Sequence, residues 1–175
     1  MEDKNFQEKF GDIWLRARHN ALANLIAAEE AAKCLFWTEV FVALLIIAPL
    51  ASIILAQEFC FFEKWNLLIT VVGSLGALFF TLIGSTREKQ RMENYHRRAH
   101  MHFNNIAQKS RRGDILDLET GEHKHLLRSL EEMFETAKNN SYEPTNEQYN
   151  KAMGRIKNMP KLPFGINLSE KNSNA

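Results

Sequence analysis

Two long uncharged apolar runs, separated by a short polar link, dominate the hydrophobic pattern of this chain. The first extends over residues 40–56 and the second over residues 65–85. As helices they would be about 26 and 31 Å long, close to the roughly 30 Å hydrocarbon core of a bilayer. Two adjacent helices that are apolar on every face are hard to bury in a soluble globule of 175 residues. The pattern therefore predicts a helical hairpin that spans a membrane, in which every backbone amide is satisfied within its own helix.

Amphipathic segments on both sides of the apolar runs predict further helices. The first, from about Asn5 to Lys33, has apolar residues at spacings of three and four and is expected to continue into the first span. The segment after the second span has the spacing of a coiled-coil seam, and we expect it to pack on the N-terminal helix. The seam residues are Met92, Tyr95, Ala99, His102 or Phe103, and Ile106.

The C-terminal part of the chain predicts two smaller helices and a tail. Apolar residues between Leu126 and Ala137 share one helical face, and residues 139–145 have the composition of a turn. A short helix is expected from about Asn146 to Asn158. The polar segment from Pro160 onward is interrupted by proline and is expected to be mobile.

The predicted fold is therefore all-α: an integral membrane two-helix hairpin, extended by long cytosolic helices, with one or two further small C-terminal helices. The expected parts are an N-terminal cytosolic helix (1–34), the transmembrane hairpin (35–86), a cytosolic helix that packs on the first (87–112), a C-terminal helical extension (113–159) and a tail (160–175).

Positive charge is concentrated after the second apolar run. Eight lysine and arginine residues lie between Arg87 and Arg112, whereas the link between the runs contains only Lys64. The positive-inside rule then places both termini in the cytoplasm and the link outside. The formal net charge of +1 lacks the excess of positive charge that is typical of nucleic-acid-binding proteins, so no nucleic acid is expected as a partner.

Two further features fit a membrane anchor. The first apolar run follows a charged helical segment, so it is expected to remain in the membrane and not to be cleaved as a signal peptide. Cys34 and Cys60 lie at opposite ends of the first span, about 30 Å apart across the membrane, so no intrachain disulfide is expected.

The hydroxyl residues of the second run fall on one helical face. These candidate pore-lining residues are Thr70, Ser74, Thr81 and Ser85, with Ala77 completing the stripe. Hydroxyl groups can solvate an ion or a file of water in an oligomeric pore. The alternative is helix packing, because Ser and Thr in membrane helices often bond to the carbonyl four residues earlier or to a neighbouring helix.

Small residues predict where the two spans approach each other. Gly73 and Ala77 form a small-xxx-small pair, and the first span offers small residues at the same spacing, namely Ala48, Ser52 and Ala56. Pro49 is expected to kink the first span. Glu39 and Arg87 should lie at the same depth, at the cytoplasmic end of the hairpin, and are candidates for an ion pair between the two helices there.

The remaining polar residues offer no catalytic constellation. His96 and His100 are one helical turn apart, with His102 nearby, but no HExxH motif, CxxC pair or set of carboxylates accompanies them. A basic solvated helix face explains these histidines better than a metal site. The chain also has no glycine-rich phosphate loop and no GxSxG motif. We therefore expect no catalytic residue, no metal and no cofactor.

Three features occur in order between roughly Trp14 and Leu116: the segment RARHNALANL, the short link between the apolar runs, and the helix STREKQRMENYHRRAHMHFNNI. This order of parts resembles the SLATT family, small two-span effector proteins associated with bacterial nucleotide-signalling defence systems. It implies a pore-forming effector in the bacterial inner membrane that causes cell death or growth arrest. It also implies a cytosolic sensor or nucleotide-generating enzyme as partner. The helices after Asp114 would be the extension through which that partner or its signal acts.

The sequence thus favours a homo-oligomer in the lipid bilayer, because two spans per chain cannot enclose a channel. The competing hypothesis is a non-catalytic membrane anchor or scaffold that recruits a cytosolic partner. An enzyme is a more distant third.

Overall fold

The computed structural model describes residues 2–58, 60–82, 85–112, 120–160 and 162–166, and these ranges are helical apart from short connections. No strand occurs in them, which confirms the all-helical prediction. The helices are α1 (Glu2–Glu58), α2 (Cys60–Leu82), α3 (Ser85–Arg112), α4 (Thr120–Asn139) and α5 (Asn146–Lys157), followed by a 3₁₀ turn (Pro163–Gly165).

The chain divides into two compact units. One, which we call the core unit, contains residues 1–28 and 94–175; the other, the apolar unit, contains residues 29–93. Both α1 and α3 therefore contribute a segment to each unit. The two units differ in where their apolar side chains lie, because those of the core unit are largely buried whereas those of the apolar unit are largely exposed.

The first part of α1 lies at the centre of the core unit. One hydrophobic cluster joins Phe10, Ile13 and Trp14 of α1 to residues of α3 and α4, among them Phe103 and Leu130. A second cluster joins Leu22, Ala23 and Ile26 to Ala152 and Ile156 of α5. Because α1 is covered on more than one side, it buries positions outside the single stripe that its sequence predicts.

The packing side of α3 differs from the predicted seam at its N-terminal end. Ala99, Phe103 and Ile106 are buried as predicted, but Tyr95 is 45% exposed and His96 is 6% exposed. His96 takes the inward position because it meets the side chain of Asn24 on α1. The Tyr95 ring instead packs edge-on against Tyr142, with ring centroids 5.2 Å apart.

Local sequence explains where α5 begins. Thr145 accepts a hydrogen bond from the backbone N–H of Gln148, and the Gln148 side chain accepts one from the backbone N–H of Thr145. This reciprocal pair satisfies two amides that would otherwise lack partners at a helix start. The predicted turn and short helix are both confirmed.

The segment that was expected to be a mobile tail packs against the core over residues 162–166. Leu162, Phe164 and Ile166 all contact the first hydrophobic cluster. The segment comes close to α1 at Gly11, where an added Cβ would lie 3.4 Å from Phe164 Cβ. Phe164 adopts a left-handed conformation with φ of 60°, a strained geometry for a residue with a Cβ. Phe164, Leu162 and Ile166 are all partly buried against the cluster, a packing that the polar, proline-interrupted composition of the segment did not indicate.

Candidate functional site

The two apolar helical segments pack against each other in the apolar unit through a glycine. A Cβ added at Gly73 would lie 2.6 Å from Pro49 Cγ and 2.9 Å from the carbonyl oxygen of Leu45. Gly76 lies three residues further along α2, and a Cβ added there would meet only the side chain of Leu45, at 3.2 Å. Of these two glycines, Gly73 is the one at which the backbone of α2 comes close to the backbone of α1, because no side chain separates them there.

A small polar cluster joins the same two helices. Ser52 Oγ lies 2.7 Å from Asn66 Oδ1 and 2.8 Å from the carbonyl oxygen of Pro49, and Thr70 Oγ1 donates to Asn66 Oδ1 over 3.3 Å. Ser52 has one proton to donate, and rotation of the Asn66 amide by half a turn would let Nδ2 donate to both hydroxyls. In either orientation the hydroxyls find partners within the protein.

The direction of α2 relative to α1 follows from these contacts. Leu45 meets α2 at Gly76 and Gly73, whereas Ser52, further along α1, meets it at Asn66. A later residue on α1 thus contacts an earlier residue on α2, so the two segments are antiparallel. Nearer the start of this part of α1, Lys89 Nζ donates to Thr38 Oγ1 over 3.0 Å.

The hydroxyl residues of α2 occupy different environments. Thr70 is half-buried and bonded to Asn66, whereas Ser74 is exposed. The side chains of Thr81 and Ser85 lie outside the described residues. The two described hydroxyl residues of the stripe therefore differ in environment. Thr70 lies at the contact between α1 and α2, whereas Ser74 lies on the outer surface of this helix pair.

The small residues that were expected to pack also differ in burial. Gly73 and Ser52 are buried and Ala77 is half-buried, whereas Ala48 is exposed. The side chain of Ala56 lies outside the described residues. Pro49, expected only to kink the first span, is buried directly against Gly73 and fills the space that the glycine leaves.

At the level of the expected Glu39–Arg87 pair, the observed polar contact joins Lys89 to Thr38. Glu39 and Arg87 are both exposed. Sequence reasoning missed this contact, and it missed Asn66 as the centre of the polar cluster. The signal for Asn66 was available, because it lies within the second apolar run, where a half-buried amide needs a hydrogen-bond partner.

The surface of the apolar unit is its most unusual property. All but three of the large hydrophobic side chains that are exposed in the described residues lie between Phe36 and Phe79; the others are Tyr95, Met101 and Tyr142. By length and composition, α1 contains one segment able to cross a membrane, and only 11% of its most apolar window is buried. Trp65–Phe79 is a shorter apolar segment. This surface is consistent with association with a membrane.

The core unit contains a second polar cluster, between α1 and α3. Two histidines one turn apart on α3 bond to α1: His96 Nδ1 donates to Asn24 Oδ1 over 2.9 Å, and His100 Nδ1 donates to the carbonyl oxygen of Ala21 over 2.8 Å. Asn24 in turn donates from Nδ2 to the carbonyl oxygen of Asn20. These bonds need a proton on Nδ1 of each ring and explain the spacing of the two histidines as helix packing.

Burial changes the titration of two groups near this cluster. It lowers the pKa of His96, because desolvation disfavours the imidazolium. Burial also raises the pKa of Tyr149, and the negative charge of Glu143 adds to that effect. Tyr149 is held by its own bonds, since its hydroxyl donates to Asn20 Oδ1 and its carbonyl oxygen accepts from His19 Nε2.

The close approach at Gly73 predicts an asymmetry between two neighbouring glycines. Gly73→Ala should destabilise the helix pair, because the new methyl group would collide with the Pro49 ring and with backbone. Gly76→Ala is the control, since it meets only the movable Leu45 side chain and gains helix propensity. We expect Gly73→Ala to cost about 1–3 kcal/mol in detergent unfolding. Equal stability of the two variants would contradict the contact.

His96 predicts a stability loss in mildly acidic solution. Its pKa is lowered in the folded chain from about 6.5, so the unfolded chain binds more protons between the two values. Stability should therefore fall as pH drops below about 6.5 and level off below the folded-state pKa. His96→Gln, which retains a donor for Asn24, should remove this part of the pH dependence, and exposed His102→Gln should retain it. Urea unfolding followed by Trp14 fluorescence, in a Trp37→Phe, Trp65→Phe background, measures the difference, and identical pH profiles for both variants would contradict the assignment.

Comparison of the chain with known protein families, with characterised proteins and with solved structures gave no match.

Proposed function

We propose that this protein is an integral membrane protein whose two apolar segments form a hairpin in the bilayer, and that it acts as a homo-oligomeric pore-forming effector. The observation that carries the membrane assignment is the uncovered surface of the apolar unit, where Trp37 is 67% and Leu67 is 79% exposed. Apolar surface in water costs roughly 25 cal/mol per Å². A continuous surface of this kind needs lipid or protein to cover it.

The dimensions of this surface match a bilayer. Exposed apolar side chains on α1 extend from Phe36 to Leu55, about 30 Å along a helix axis. Backbone amides in this stretch are satisfied within the helix, apart from the bond that Pro49 removes. The polar side chains between the helices also bond to each other, since Ser52 and Thr70 share Asn66. Polar groups satisfied in this way are compatible with a lipid environment.

The charge distribution orients the hairpin. Lysines and arginines follow α2 closely, and the described ones at Arg87 and Arg91 are exposed. We infer that this end faces the cytoplasm, so that both termini are cytoplasmic and the link between the spans is outside.

A pore would require several copies, because two helices cannot enclose an aqueous path. Ser74 supports this assignment, since its hydroxyl lies on the outer surface of α2 among exposed side chains such as Leu75 and Leu78. On neighbouring copies these hydroxyls would face a shared axis. The resemblance to SLATT proteins supplies the setting: a bacterial inner-membrane effector that permeabilises its own cell when a cytosolic sensor or nucleotide-generating partner reports infection.

The second candidate is a membrane anchor that recruits a cytosolic partner. The observation in its favour is that two hydroxyl groups, those of Ser52 and Thr70, are used within one chain and are not directed outward. In this alternative Ser74 is a surface residue without an aqueous role, and the core unit alone carries the function.

Topology can be tested with the two native cysteines of the chain. In intact cells, a membrane-impermeant maleimide should label the Cys34→Ala variant through Cys60, in the outward link. A cysteine placed at Lys109 in a Cys34→Ala, Cys60→Ala background should be labelled only after the membrane is permeabilised. Labelling of this second variant in intact cells would contradict the orientation, and resistance of Cys60 in both conditions would contradict exposure of the link.

Pore function predicts a position-specific block of ion flux. Ser74→Leu, alone or combined with Thr81→Leu, should abolish dye or ion release from liposomes, because an apolar constriction dewets and closes. Val71→Leu is the matched control, since it exchanges one exposed apolar side chain for another on the same helix. Cross-linking should show that all variants insert and assemble. Flux from the Ser74 variants equal to that of the Val71 variant would falsify the pore and favour the anchor.

A further inference from the structure

Three clefts of similar size in the core unit, each about 430 to 440 Å³, differ in the charge of their walls. One is lined by both Arg98 and Glu132. In another, Asp12 and Glu131 accompany the basic side chains. The remaining cleft contains two arginines, and its described lining includes no aspartate or glutamate. We call it the arginine cleft.

Three parts of the core unit build the arginine cleft. Trp14 and Arg18, one turn apart on α1, form one wall, and the facing side of α3 contributes Asn104 and Arg111. The third wall is the C-terminal segment that packs back onto the core, with Leu162 at the cleft. The cleft thus depends on the segment for which the sequence predicted no structure.

The two arginines have unused donor capacity. Arg18 Nη1 donates to Asn104 Oδ1 over 2.8 Å, which orients the guanidinium and uses one of its five N–H groups. Arg111 is exposed, and within the described part of the chain no carboxylate pairs with either arginine. Two like charges that share one cleft repel each other, so an anion bound between them would relieve that repulsion.

We propose that the arginine cleft binds a phosphate monoester, with the phosphate held by Arg18 and Arg111 and the carbon part of the ligand against Leu162 and Pro163. A cleft of about 430 Å³ lies in the range that small ligands occupy. Its walls combine apolar contact with a few polar groups, here the two guanidiniums and the amides of Asn104 and Gln108. This site is separate from the proposed pore and does not depend on it.

A phosphate monoester fits this site better than a carboxylate does. At neutral pH its charge is about −1.5 to −2, which matches two guanidiniums, whereas a carboxylate carries a single negative charge. The arginine fork also binds phosphate oxygens in a bidentate manner. The phosphate could belong to a soluble compound or to a lipid headgroup such as phosphatidic acid, because both present the same chemistry.

Trp14 provides a direct reporter. The chain has three tryptophans, so a Trp37→Phe, Trp65→Phe background of the full-length protein in micelles leaves Trp14 as the only one. Phenyl phosphate should change Trp14 fluorescence in a saturable manner. Arg111→Gln should weaken binding about tenfold or more, because a charge-assisted contact is lost. Lys109→Gln is the matched control, since it removes the same charge from an exposed position on α3 outside the cleft.

The ligand series separates the parts of the proposal. Saturable binding of phenyl phosphate that depends on Arg111 supports a soluble ligand. Arg111-dependent binding only to phosphatidic acid mixed into the micelles, with phosphatidylcholine as control, supports a lipid headgroup. Inorganic phosphate binding as tightly as phenyl phosphate would overturn the apolar half of the site. Benzoate binding as tightly would overturn the preference for phosphate. If Arg111→Gln and Lys109→Gln bind phenyl phosphate equally, or if Trp14 shows no response to either ligand at millimolar concentration, the site itself is overturned.

Discussion

Exposure of a long apolar surface on α1 and α2 is the constraint on which the rest of this structure depends. The hydrophobic effect penalises such a surface in water, so residues 29–93 need lipid or another protein surface to cover them. The core unit has no such need, because Phe10, Phe103 and Leu130 are buried within it. One chain therefore contains two units that require different environments, and the long α1 supplies residues to both.

Polar groups in the apolar unit follow from the same constraint. In a medium without water, a hydroxyl or amide needs a partner within the protein, and Ser52, Asn66 and Thr70 satisfy one another. In the proposed bilayer no hydrophobic force would drive the two helices together, so they would depend on close packing at small residues, as where Gly73 lies against Pro49. Ser74 is the exception that gives the pore proposal its test, since it places a hydroxyl on the outside.

In the core unit, polar groups specify how the helices align. His96 and His100 bond to α1 at Asn24 and Ala21, one turn apart on each helix, so a shift of α3 along α1 would break both contacts. Burial of His96 in its neutral form couples this alignment to pH. Hydrogen-bonded polar positions inside an apolar interface are a common means of fixing register. The arginine cleft lies further along the same pair of helices, where Arg18 meets Asn104.

The sequence by itself determined the helices, because periodicity and turn chemistry are local properties. The start of α5 near Asn146 and the helical face that contains Leu127, Leu130 and Phe134 were predictable in this way. The positions of the small residues indicated Gly73, but not that Pro49 would fill the space against it. Whether Tyr95 or His96 faces inward was decided only by the tertiary structure, since either choice fits the spacing and Asn24 selects His96. The return of Leu162, Phe164 and Ile166 to the core was likewise decided in three dimensions, because burial against α1 is a long-range contact that composition does not encode.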